Sequence, residues 1–184
     1  MRYPLFLLIL PLLTPALFAS ATARGQDAQS STTPATGDAP PVRYLAAIEE
    51  ELDALSIPHS CEVTSEIRSR CTFTYRGRTS GRDFEVRLIY SDDTDTIYLY
   101  VPGLTTGLPD ASTTPALLRR LMELNWRLLV AKLEWNAVDG EVRLSTVQNT
   151  DSNFDRRAFR NLVRRLGPLA DGYARELERI TETD

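Results

Sequence analysis

The stretch LMELNWRLLVAKLEWNAVDGEVRL, residues 121–144, changes period halfway along. Leu121, Leu124 and Leu128 recur at helical spacing, and Leu133 and Trp135 then alternate towards Asp139-Gly140, with Val142 and Leu144 alternating beyond it. A 3-4 spacing describes one face of a helix, and alternation describes a strand with one buried face. Asp-Gly between alternating runs predicts a hairpin closed by a type I′ turn, with positive φ at both central residues. The segment therefore reads as helix, junction and hairpin.

Outward from it, the same two periods recur. Leu45, Ile48, Leu52 and Leu55 predict a helix over 42–55, begun by Pro41 and ended before Pro58. Cys71, Phe73 and Tyr75, then Phe84, Val86, Leu88 and Tyr90, then 97–101, read as strands separated by turns at 76–83 and 91–95. Residues 102–114 read as a loop, and Thr114-Pro115 as the cap and first residue of the next helix. Its stripe is Leu117, Leu121, Leu124 and Leu128, widened by Leu118, Met122 and Leu129. A last helix opens at Asn153-Phe154-Asp155 and carries Phe159, Leu162, Val163, Leu166, Leu169, Tyr173, Leu177 and Ile180, with a kink expected at Gly167-Pro168. Runs of strands separated from helices mean an α+β fold: an antiparallel sheet of five to six strands packed by helices, in the order helix, strands, helix, hairpin, helix.

The N-terminus reads differently. Arg2, the apolar run LFLLILPLLTPALF at 5–18 and the small residues Ala19-Ser20-Ala21 and Ala21-Thr22-Ala23 form the pattern of a secretory signal peptide over 1–23. The alternative is a retained anchor. Against it, a helix over that run reaches only about 21 Å of the roughly 30 Å hydrocarbon core. No stable membrane span is expected after cleavage. Residues 24–41, RGQDAQSSTTPATGDAPP, lack large apolar side chains and read as a flexible linker. One domain over 42–184 follows, and a periplasmic or extracellular location.

Cys61 and Cys71 are the only cysteines. An even count in an exported chain predicts a disulfide, the alternative being two free structural thiols. A metal centre would need more ligands than His59, the single histidine, can add. His59, beside Pro58, is expected in a loop. The net charge of −4 argues against nucleic acid as a partner.

The residues LN at 124–125, KL at 132–133 and DGEVRL at 139–144 resemble the C-terminal half of the YbjN family, described as bacterial sensory transduction regulators with a type III secretion chaperone-like fold. The junction reads Ala131-Lys132-Leu133 where that family often has Gly-Lys-Phe. The resemblance covers residues 117–180 best. It implies a fold, a non-enzymatic class and no catalytic residues.

Phosphate loops, dinucleotide fingerprints, nucleophile elbows and zinc-protease motifs are all missing from the sequence. No catalytic residue, cofactor or metal is expected. Asp92, Asp93 and Asp95 read as an acidic turn, since the positions an EF-hand reserves for glycine and glutamate hold Ile97 and Gly103. Glu49, Glu50 and Glu51 fan around a helix as a solvated face. Arg156, Arg160 and Arg164 recur at four-residue spacing, with Arg157 and Arg165 beside them. They are either a face for an anionic ligand or an ordinary solvated face. Trp135 is expected in the core; Trp126, off the main stripe, should cover the sheet edge or meet a second subunit.

Three functions stay open: an exported, non-catalytic protein-binding or chaperone-like module, possible as a homodimer; a binder of anionic polymer or lipid headgroups through Arg156, Arg160 and Arg164; and a carboxylate-based hydrolase.

Overall fold

Alternating apolar residues along 71–144 form one sheet face in a computed structural model that describes residues 42–151 and 153–182. The expected leader and linker, with Pro41, lie outside the described residues. The elements are α1 (Leu45–Ala54), β1 (His59–Ser65), β2 (Arg68–Arg76), β3 (Asp83–Ser91), β4 (Thr96–Thr106), α2 (Thr114–Arg127), β5 (Lys132–Trp135), β6 (Glu141–Asn149) and α3 (Arg156–Thr181). The strands make one antiparallel sheet in the order β1-β2-β3-β4-β6-β5, so β1 and β5 are its edges. The architecture is α+β, with the element order read from the sequence.

Period 2 decides which residues meet the helices. Phe73, Val86, Leu88, Leu99, Val101, Leu133, Val142 and Leu144 point to the inner face and are buried. Ile48 and Leu52 of α1, Leu117, Leu121 and Leu124 of α2, and Phe159, Val163, Leu166 and Leu177 of α3 complete the same core. At the centre of the α3 stripe lie Ala170 and Ala174, both fully buried, where a larger side chain would hold the helix off the sheet. Close approach also explains Gly167: a Cβ there would lie 2.3 Å from the Tyr75 ring. The helix is continuous through Pro168.

Several sequence expectations are corrected. The first helix begins at Leu45, not residue 42, with Tyr44 as its cap. Thr114 is the first helical residue of α2 and not its cap; its hydroxyl donates to the Leu108 carbonyl at 2.6 Å. The strand after the second turn does not stop at Val101. It runs through a register shift between Val101 and Thr105 and pairs again at Thr105 and Thr106. His59 is the first residue of β1 and half-buried, with Nδ1 2.9 Å from the Ile57 carbonyl oxygen. The hairpin at Asp139-Gly140 exists, but its loop is Asn136–Gly140 and only Gly140 has positive φ. Asn136 closes it: its N–H donates to the Glu141 carbonyl and its carbonyl accepts from Gly140 N–H.

The opening stretch is braced by one side chain. Asn125 of α2 donates from Nδ2 to the Leu133 carbonyl at 2.9 Å and accepts from the Leu133 N–H at 2.7 Å. The amide thus occupies the place of a further strand on the short edge strand β5. Asn125→Ala is expected to cost about 2–3 kcal/mol, because both Leu133 groups lose their partner. Urea denaturation measures the loss, and hydrogen exchange should show the Leu133 amide opening first.

Cys61 and Cys71 face each other across β1 and β2 and are bonded, with S–S 2.02 Å. Replacing both by Ser is expected to cost about 2–3 kcal/mol on the chain-entropy argument, read as a lower denaturation midpoint. Under reducing conditions the wild type should converge on the variant.

Candidate functional site

Among the described residues all three helices contribute to the inner core, and none lies on the opposite face of the sheet. Strand parity places Arg87 and Ile89 of β3, Tyr98 and Tyr100 of β4, Arg143, Ser145 and Val147 of β6, and Lys132 and Glu134 of β5 on that outer face. Adjacent registers are Arg87↔Tyr100, Ile89↔Tyr98, Tyr98↔Val147, Tyr100↔Ser145 and Glu134↔Arg143. The Tyr98 and Tyr100 rings stack at 5.1 Å between centroids. The Arg143 guanidinium carbon lies 5.6 Å and 5.4 Å from the two centroids, within cation–π range. Glu134 accepts from the Tyr98 hydroxyl at 2.7 Å and from Arg143 Nε at 2.6 Å.

Burial opposes the charge on Glu134, but bonds from Tyr98, Arg143 and Ser145 outweigh it and hold the carboxyl below its ordinary value. Burial, reinforced by the bond to Glu134, pushes the Tyr98 phenol up to about 12. Across neutral pH, therefore, Glu134 is an acceptor and Tyr98 a donor. The cluster presents fixed rings and a fixed cation.

Next to this face is an exposed apolar corner. Trp126 is 91% exposed, Leu129 96% and Met122 75%, and Val130 and Val147 are also exposed. These five are most of the large apolar side chains exposed among the described residues. The expected broad buried face of α2 is thus corrected. Leu117, Leu121 and Leu124 are its buried stripe; Met122 and Trp126, at i and i+4, form a second stripe facing away. Leu128 is extended, so Leu129 leaves the helix and does not widen it. Trp126, so exposed, covers no sheet edge among the described residues, and Trp135 is half-buried at the core margin, with Nε1 donating to the Gly107 carbonyl at 2.8 Å. A shallow cavity of ≈ 380 Å³ joins the corner to the outer face, lined by Leu128–Lys132, Glu134 and Ser145–Val147. A larger groove of ≈ 670 Å³ lies at the other end, lined by His59, Ser60, Thr72, Thr74, Arg76 and Glu85.

Of the arginines singled out by spacing, Arg156 and Arg160 meet on one carboxylate and Arg164 does not join them. Arg156 bonds Glu50 at 2.8 Å and Glu51 at 3.0 Å, and Arg160 bonds Glu51 at 2.6 Å. Arg164 is exposed on α3. Glu51 is buried, which corrects the expected solvated face: α1 packs on α3, and this carboxylate lies between the two guanidinium groups. Burial would raise the Glu51 pKa, but the two arginines outweigh it and lower it.

The acidic turn is a turn. Asp92 accepts from the Tyr90 hydroxyl, and Asp95 pairs with Arg43 at 3.1 Å. Glu49, His59 and Cys61 place ligand atoms within 4.8 Å of one another, but the Cys61 sulfur is in the disulfide and offers no thiolate. Sequence reasoning missed the Tyr98–Tyr100–Arg143 cluster. Its signal was available: both solvent-side positions of the strand Ile97–Val101 are tyrosines, whereas an ordinary outer phase is polar. No protein-family model matches this chain, and no curated protein matches it.

Proposed function

We propose that this chain is an exported, non-catalytic protein-binding module that receives a polypeptide on the outer face of its sheet. The observation that carries the reading is the stacked Tyr98–Tyr100 pair under Arg143 on a sheet face that no helix among the described residues covers. Tyrosine and arginine dominate the energetics of protein interfaces, because each offers a large rigid contact area and directed hydrogen bonds. Export draws support from the leader pattern and the disulfide. The YbjN resemblance adds a chaperone-like role and a sensory or regulatory setting. The alternative, an anionic ligand on Arg156, Arg160 and Arg164, has less support, because Glu50 and Glu51 already occupy two of the three.

Site-specific photo-crosslinking in the native host tests it. A benzoylphenylalanine replacing Tyr100 is expected to give protein adducts of discrete mass, lost on Val147→Glu. The same reporter replacing Arg157, on the solvent side of α3, should give none. No adduct from Tyr100, or equal labelling from both positions, overturns the reading.

A further inference from the structure

We infer that the α2–β5 corner is an interfacial contact for an anionic lipid surface. Met122 and Trp126 project from one side of α2, and Leu129 and Val130 continue the apolar surface where the helix ends. Around them stand Arg119, Arg127 and Lys132, all exposed; Lys132 is the chain's single lysine. The two carboxylates nearby are engaged: Glu123 with Arg120 at 2.8 Å and Glu134 with Arg143 at 2.6 Å. The corner therefore combines an apolar tip containing a tryptophan with a rim whose unengaged charges are all positive, on a chain of net charge −4.

That charge pattern selects the occupant. A second copy docked about a two-fold axis would bring this positively charged patch against the same patch, and like charges across an interface oppose docking. A surface of anionic headgroups offers the opposite charge at every rim position. Tryptophan, leucine and methionine settle at the headgroup–acyl boundary while arginine and lysine extend back to phosphates. Helix α2 has 14 residues, about 21 Å, so it would lie along the surface and not cross it. The corner shares Lys132 with the outer face, but vesicles carry no protein, so the test here and the test of the outer face can each fail alone.

Tryptophan fluorescence of the full chain with vesicles of phosphatidylglycerol and phosphatidylcholine in equal parts tests the inference. The N-terminal apolar run contains no tryptophan, so the signal reports Trp126 and Trp135 only. The emission is expected to shift to the blue and to be quenched by bromine on the lipid chains, and Trp126→Phe should remove both changes. Leu129→Glu should weaken partitioning tenfold or more, since a leucine's worth of burial is lost. Arg127→Gln and Lys132→Gln should each weaken it about five-fold at low salt. Leu129 is almost wholly exposed, so an unchanged thermal transition in Leu129→Glu confirms that folding is intact. Three results overturn the inference: no shift with anionic vesicles, an equal shift with pure phosphatidylcholine that ignores the charge variants, or a concentration-dependent dimer that Leu129→Glu dissolves in place of vesicle binding.

Discussion

Asp171→Ala is expected to lose about 3–5 kcal/mol of stability, measured as the unfolding free energy in urea. Asp171 is a buried carboxylate on the core face of α3. It accepts three successive backbone N–H groups of the β2–β3 turn: Arg78 at 2.9 Å, Thr79 at 2.8 Å and Ser80 at 2.7 Å. The Ser80 hydroxyl donates to it as well, at 2.6 Å. Removing the carboxylate leaves those donors without an acceptor in a place water reaches poorly. Asp171→Asn should cost less than Ala but more than a surface change, because one amide oxygen still accepts while the NH₂ faces donors.

The same carboxylate sets a pH dependence. Burial would raise its pKa, but the bonds from Ser80, Thr79 and Arg78 outweigh burial and hold it far below the ordinary carboxylate value. A depressed folded pKa contributes stability that is complete above the unfolded value, about 4, and is lost as pH falls through and below it. Glu51 acts in the same direction. The wild type should therefore weaken as pH falls below about 5. Asp171→Asn, which has no carboxyl to titrate, should show a flatter profile over that range. Parallel profiles would remove Asp171 as the source.

Strand parity was legible in the sequence because period 2 assigns each residue to a face without reference to distant partners. That is why the sheet and the core side of 84–101 could be read directly, whereas the Cys61–Cys71 pairing was expected from an even cysteine count in an exported chain. It failed where a long-range partner changes a residue's value. Asp171 looks like an ordinary polar residue within a helical stripe until a turn 91 positions earlier in the chain lies against it. Glu51 looks solvated until α3 brings two arginines to it. On α2 the spacing of the leucines and Met122 predicts a broad apolar face, with Trp126 off it, but not which part the sheet covers. The sheet takes Leu117, Leu121 and Leu124 and leaves Met122 and Trp126 outside. Apolar residues outside the core are a statement about an environment beyond the described residues, and periodicity alone carries no such information.

Gly140→Ala is expected to cost about 4 kcal/mol, although the site is a hairpin turn. Gly140 sits at φ +76°, where an added side chain is strained whatever the space. The space is also missing. A Cβ would lie 2.5 Å from the Gly107 carbonyl oxygen and 2.9 Å from Leu108 N, and both are backbone atoms that no rotamer change can move aside. The contact is a clasp between the β5–β6 turn and the segment after β4: Gly107 N–H donates to the Gly140 carbonyl at 2.9 Å, and Trp135 Nε1 donates to the Gly107 carbonyl. Forcing it open loosens Trp135 as well, so Trp135 fluorescence in a Trp126→Phe background should report the opening before global unfolding. Asp139 supplies the contrast. A two-residue type I′ turn would hold it at positive φ, and Asp139→Gly would then be neutral or stabilising. Its φ is not positive, and its side chain accepts from Glu141 N–H at 3.0 Å. Asp139→Gly should therefore destabilise by about 1 kcal/mol. A stabilising result there would restore the tighter turn that the Asp-Gly pair suggests. A cost below about 1 kcal/mol for Gly140→Ala would show the clasp free to open.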